Sequence, residues 1–267
     1  MNNMIAACVD RNPFDSLEEL VARLAECGLD AAEWFEENEV APWSAPEAAS
    51  IIRKLMHRYE LLSQYHAPYQ DEYDPATING RLRTPEETAG LITRLLDRAE
   101  RLEARLVTMH CGSCPNEQDR PEAMNRFAEG LCLSVPELER RHIRIAIENH
   151  TPAFVNQPLG SRPEEMDWFM GRLPETWVGR TLDIGHAHID GQVQGFLSRP
   201  LDRVLNCHLH DNYGKQDDHL PLGKGRIPWS EVLQTLADRA YSGALTLEFF
   251  GAAEDYRQAI SRIRATK

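Results

Sequence analysis

Residues 143–183 read IRIAIENHTPAFVNQPLGSRPEEMDWFMGRLPETWVGRTLD. The stretch begins and ends on a short apolar run closed by an acid, Ile143–Glu148 and Val178–Asp183. Between them Ser161 and Glu164 have the spacing of a capping box, in which a hydroxyl and a carboxylate satisfy orphan backbone N–H groups at a helix start. Runs this short and this apolar suit strands buried on both faces of a sheet. Two such strands joined through a helix need a crossover, which makes them parallel neighbours.

The same unit recurs along the whole chain. Apolar runs occupy Met4–Val9, Leu29–Trp34, Leu61–His66, Leu106–His110, Ile143–Glu148, Val178–Asp183, Val204–Leu209 and Ala244–Phe250. Helical spacing fills the gaps: Leu17, Leu20, Val21, Leu24 and Cys27, then Ile51, Ile52, Leu55, Met56 and Tyr59, then Leu91, Ile92, Leu95, Ala99 and Leu102. Ser44 with Glu47 and Thr84-Pro85-Glu86-Glu87 give further helix starts, and Val135-Pro136 predicts a break. The connection Asp190–Pro200 is short for a helix. No GxGxxG or GxxxxGK[ST] follows the first run, so the usual support for an open nucleotide-binding sheet is missing. The expected fold is α/β, a single (β/α)₈ TIM barrel over residues 1–267, with no linker composition to divide it.

Composition excludes several classes. The chain has 267 residues, 42% hydrophobic and 27% charged, as in ordinary globular domains. No apolar window is long enough for a membrane span, and the N-terminus lacks the basic and apolar regions of a signal peptide, so a cytoplasmic location is expected. A net charge of −13 disfavours nucleic acid. Six cysteines in such a chain do not suggest a disulfide framework; Cys111 and Cys114 alone have suggestive spacing.

Chemistry is written at the ends of the runs. Glu33, His66, His110, Glu148, Asp183, His208 and Glu248 close seven of the eight. In a barrel those ends converge on one face, where active sites of this fold lie. Converging buried carboxylates repel unless a cation or shared protons intervene, so the set implies a divalent metal. Glu148, Asp183, His208 and Glu248 make a mostly oxygen site suited to Mn²⁺ or Mg²⁺, with Co²⁺ or Zn²⁺ tolerated. Adding His66, His110, His186, Asp217 and His219 gives imidazole enough for two or three zinc ions. Lys224 and Arg226 are candidates to grip a substrate phosphate, and Trp34, beside Glu33, to wall a sugar pocket. If the seventh run continues past Leu209, His210 shares a face with His208; one ligand suffices there, and His208 is the choice.

These residues lie in HAPY (66–69), VTMHCGS (107–113), IAIENH (145–150), LDIGHAHIDG (182–191), HLHDNYGKQDDHLPLGKGRIPW (208–229) and LTLEFF (245–250). In them the chain resembles the xylose isomerase-like barrel superfamily, which includes sugar and sugar-phosphate isomerases/epimerases and the endonuclease IV enzymes. The resemblance to ketose 3-epimerases implies one Mn²⁺ on Glu148, Asp183, His208 and Glu248, proton exchange by Glu148 and Glu248, and contact of His186 with substrate oxygen. The resemblance to endonuclease IV implies three zinc ions on His66, His110, Glu148, Asp183, His186, His208, Asp217, His219 and Glu248. Against a nuclease stand His110-Cys111-Gly112-Ser113-Cys114 in place of an HPGSH motif, the acidic charge, and the lack of a loop joining basic residues to aromatic wedges.

The expected function is therefore metal-dependent isomerisation or epimerisation of a sugar, sugar phosphate or related polyol, by proton transfer next to a carbonyl. A tri-zinc phosphodiesterase acting on abasic DNA and a non-catalytic sugar-binding barrel are the alternatives. The oligomeric state stays open at this point, a homodimer and a homotetramer both being common among the proteins it resembles.

Overall fold

A computed structural model describes residues 1–11, 13, 15–36, 42–69, 71–153 and 155–266. Eight parallel strands close into a barrel in which every strand pairs with its neighbours in sequence and the last with the first. They are β1 (Ile5–Val9), β2 (Ala31–Phe35), β3 (Leu62–His66), β4 (Leu106–His110), β5 (Arg144–Glu148), β6 (Val178–Asp183), β7 (Val204–Leu209) and β8 (Ala244–Leu247). The eight apolar runs and the eight strands coincide, with small differences at their ends.

Helices α1 (Leu17–Glu26), α2 (Pro46–Arg58), α3 (Pro85–Arg101), α4 (Arg120–Leu133), α5 (Val135–Arg141), α6 (Pro163–Met170), α7 (Ile184–Ile189), α8 (Val193–Leu197), α9 (Trp229–Asp238) and α10 (Ala253–Ala265) form the connections. A two-stranded hairpin, Thr77–Ile78 with Arg81–Leu82, decorates the loop before α3. The predicted break falls at Ser134, just ahead of Pro136, and separates α4 from α5. The sixth connection holds two short helices, α7 starting directly after Asp183 and α8 inside the stretch 190–200.

Two of the three predicted caps are corrected. Thr84 caps α3 in a complete capping box with Glu87. At α2 the cap is Ala45, and at α6 it is Arg162, because Pro46 and Pro163 take the first helical position and push the boundary one residue past the serines. A proline loses nothing at N1, where its missing N–H would be an orphan, so it sets the register.

Strand alternation sorts the side chains into two shells. Trp34, Tyr65, Val107, Ile145, Ile147, Leu182, Cys207 and Leu245 join the apolar core with the helices, each at most 1% exposed. The barrel interior is polar. Thr108 Oγ1 lies 3.2 Å from Glu33 Oε2 and 3.1 Å from Thr181 Oγ1; Asn206 donates to Glu33 Oε2 at 3.0 Å; Thr246 donates to Asn206 Oδ1 at 2.8 Å. Buried polar groups are tolerated when they satisfy one another. This layer is the floor beneath the strand ends.

Candidate metal centre

Glu33 is the first correction at the site. It sits mid-strand in β2, level with Cys8 and Gln64, one layer below the strand ends. Its carboxylate, fully buried, lies with Oε1 2.8 Å from His208 Nε2. A group placed there lies beneath His208 and outside the walls of the cavity at the mouth. Trp34 is corrected too: it points outward, fully buried, with its Nε1 3.4 Å from Ser63 Oγ and its ring against Trp43. Lys224 and Arg226 are exposed and do not line the mouth.

The other nine residues are brought together. The opposite nitrogen of His208, Nδ1, lies 3.1 Å from Glu148 Oε1, 2.9 Å from Glu248 Oε2 and 3.8 Å from Asp183 Oδ2. Glu148 Oε2 lies 3.1 Å from both His66 Nε2 and His110 Nε2. Asp217 Oδ2 lies 3.3 Å from His186 Nε2 and 3.0 Å from His219 Nε2. Glu148 bridges one set to the next.

Three imidazoles are anchored from behind by backbone carbonyls: His66 Nδ1 on Ala67 at 2.9 Å, His186 Nδ1 on Asn149 at 2.9 Å, and His219 Nδ1 on Glu248 at 2.7 Å. With Nδ1 donating, each Nε2 is left with its lone pair toward the centre, the outer arrangement that metal-ligating histidines use. The carboxylates supply the second sign of fit. Asp183 Oδ2, Glu248 Oε2 and Asp217 Oδ1 are buried and lack a hydrogen-bond partner. Orphaned anionic oxygens are costly unless something cationic meets them. The residues present fit a divalent ion.

Without an ion, the imidazoles carry that charge. Burial alone would raise Glu148, but His208 and His110 outweigh it and hold its carboxyl well below the usual range. Burial would lower His208, yet Glu248, Glu33 and Glu148 hold it well above its ordinary value. His219 behaves alike, pushed down by burial and up, to about 10, by Asp217 and Glu248.

Two residues at the site were not among the chosen ligands. His150 stacks on His110, with ring centroids 4.2 Å apart, and on His186 at 5.0 Å. His210, which the preference for His208 set aside, has Nε2 3.2 Å from Asp183 Oδ1 and stacks on His219 at 4.2 Å. Each lies two residues beyond a predicted ligand, so the two-residue repeat of an extended chain was the available signal. His210 approaches so closely that a Cβ at Gly185 would stand 1.9 Å from its ring; only glycine fits the first turn of α7.

The loop after β7 is held by one buried acid. Asp211 accepts from Asn212 N at 2.9 Å, Gly223 N at 2.8 Å and Ile227 N at 3.1 Å. This fixes the segment that carries Asp217 and His219. Asp211→Ala orphans all three donors and is expected to cost about 3 kcal/mol or more in urea unfolding; a loss under about 1 kcal/mol would refute this role.

Above the donors lies a cavity of about 310 Å³, whose walls include Cys8, Phe35, Tyr69, His150 and Phe250. Its single Lys or Arg side chain among the described residues is Arg11, which rides over the Phe250 ring at 4.7 Å, with its Nε 3.9 Å from Asp10. Arg83 does not offer its charge to the mouth. It is buried and donates to the backbone carbonyls of Asp74 and Glu72. Arg81 is exposed and paired with Glu87.

Known proteins share this fold. The family model of the xylose isomerase-like TIM barrel matches residues 21–266. The uncharacterised protein MJ1311 of Methanocaldococcus jannaschii is 30% identical over 239 residues, 88% of this chain and 79% of that one. The fructoselysine 3-epimerase of Escherichia coli O157:H7 is 21% identical over 249 residues, 90% of each chain. Among solved structures, a D-tagatose 3-epimerase-like protein superposes with a TM-score of 0.81 at 26% identity, covering 98% of this chain and 97% of that one. Endonuclease IV of Thermus thermophilus gives 0.67 at 22% identity, covering 98% of each.

Proposed function

Since the chain belongs to the xylose isomerase-like TIM barrel family, we propose that it is a divalent-metal-dependent isomerase or epimerase of an unphosphorylated ketose or related polyol. One observation carries this reading: Glu148 and Glu248, on β5 and just past β8, reach the same His208 nitrogen from different strands, at 3.1 and 2.9 Å. Two carboxylates at one centre can take a proton from carbon and return one, which epimerisation needs.

Glu148, Asp183, His208 and Glu248 would hold Mn²⁺ or Co²⁺, and the histidine-rich side of the cluster also suits Zn²⁺. When bound, the ion supplies Lewis acidity that stabilises negative charge on substrate oxygens. Glu148 is kept ionised by His208 and His110, so it is a base rather than an acid at rest. Glu33, with Oε1 2.8 Å from His208 Nε2, sets a negative charge beneath that ring. His186, anchored on Asn149, faces the cavity and can donate to or accept from a substrate hydroxyl. Arg11 is the one Lys or Arg side chain in the cavity wall among the described residues, beside Asp10, Asp217 and Glu248, so no cluster of guanidinium or ammonium groups is there to grip a phosphate or a phosphodiester backbone.

Metal-loaded protein incubated with D-tagatose, D-fructose and D-psicose in deuterium oxide is expected to wash deuterium into the carbon beside the carbonyl, read by NMR. Nicking of abasic DNA by the zinc-loaded protein, with no exchange into any ketose, would overturn the assignment in favour of the phosphodiesterase.

A further inference from the structure

Beside the mouth lies a second, larger cavity, about 630 Å³ against about 310 Å³. Cys8, Asp10, Arg11 and Phe250 wall both, so the two adjoin along these side chains. Beyond that shared rim the character changes. The walls there are mostly apolar, Leu20 and Leu24 of α1 with Leu29, Ala253 and Tyr256 of the opposing β2 approach and α10, and Arg23 of α1 is the one charged side chain among the described residues beyond the rim. A bare sugar has no use for such a space: its hydroxyls would lose water and find few partners there. Apolar pockets of several hundred Å³ beside a few convergent polar groups are the ordinary form of a small-molecule site.

We infer that the substrate is a ketose conjugate, its sugar end at Glu148 and Glu248 and an apolar alkyl appendage lying between α1 and α10. The inference rests on the function proposed above and specifies its substrate class. Arg11 and Asp10 stand at the junction of the two cavities, where the link between sugar and appendage passes.

The test uses the Mn²⁺-loaded full chain and calorimetric binding of D-fructose and of two series of ethers, 1-O-alkyl and 6-O-alkyl fructoses from methyl to hexyl, so that neither orientation is assumed. In one series the dissociation constant is expected to fall roughly fourfold per added methylene. Ala253→Phe, at the half-buried start of α10, is expected to abolish that gain and leave fructose binding within about twofold, since it narrows only the second cavity. Ala253→Val, a smaller intrusion, should give an intermediate slope and guards against a Phe variant that fails to fold. Two flat series beside measurable fructose binding, or a slope untouched by both variants, would overturn the appendage and leave the epimerase reading standing. No binding by any member would remove both.

Discussion

Glu148→Gln is expected to lower deuterium exchange into the substrate by at least about a hundredfold, and up to roughly ten-thousandfold, the range that a positioned general base contributes. Few residues in this protein are so exposed to a single change of charge. Glu148 is fully buried, and its two oxygens meet His208 on one side and His66 and His110 on the other. Glutamine keeps the shape and one acceptor oxygen, so Asp183, His208 and Glu248 should retain metal in part by elemental analysis. Loss of exchange with metal partly retained identifies a base. Full exchange in the variant would remove Glu148 from the chemistry, and complete loss of metal would make it a ligand first. Glu248→Gln is expected to behave similarly, although Glu248 has His208 and His219 as its close cationic neighbours, without the pair on the far side.

Metal binding is expected to release protons, and to tighten as pH rises. His208 and His186 are held well above the ordinary imidazole value, and His219 is raised to about 10 from 6.5. Burial opposes each shift, but neighbouring carboxylates win. A proton on a ligating nitrogen must leave before that nitrogen can coordinate. Between pH 6.5 and about 10 the folded metal-free protein therefore holds a proton at His219 that the metal displaces. Apparent affinity should climb about tenfold per pH unit for each proton displaced. Titration calorimetry in two buffers of different ionisation enthalpy counts the protons directly; a count of zero across this window would refute the arrangement. Stability follows with the opposite slope. A raised imidazole stabilises the folded metal-free chain fully below pH 6.5, and that contribution is lost as pH rises through about 10. Chelated protein should accordingly melt at progressively lower temperature from pH 7 to pH 10, while metal-loaded protein should not.

The eight strands, and the gathering of acids and imidazoles at their ends, were legible in the chain because both obey local rules. A buried parallel strand must be apolar for five or six residues, and the polar residue that ends it marks the mouth of the barrel. Leu106–His110, Val178–Asp183 and Val204–Leu209 were read to the residue. The serine caps went wrong because a proline two residues on, which takes the first helical position, outweighs a hydroxyl in choosing where a helix begins.

What the chain could not state is depth and direction. Glu33 and Trp34 are adjacent, yet one supports His208 from inside the barrel and the other packs outside it, because successive strand side chains point to opposite faces. Sequence alone determined that acids and imidazoles would meet at the strand ends, since a closed parallel barrel has nowhere else to send them. Only the tertiary structure decided which nitrogen faces the centre, which carboxylate lies a layer too deep, and that His150 and His210 join the rest. Those answers depend on distances across the barrel, between residues that no local pattern relates.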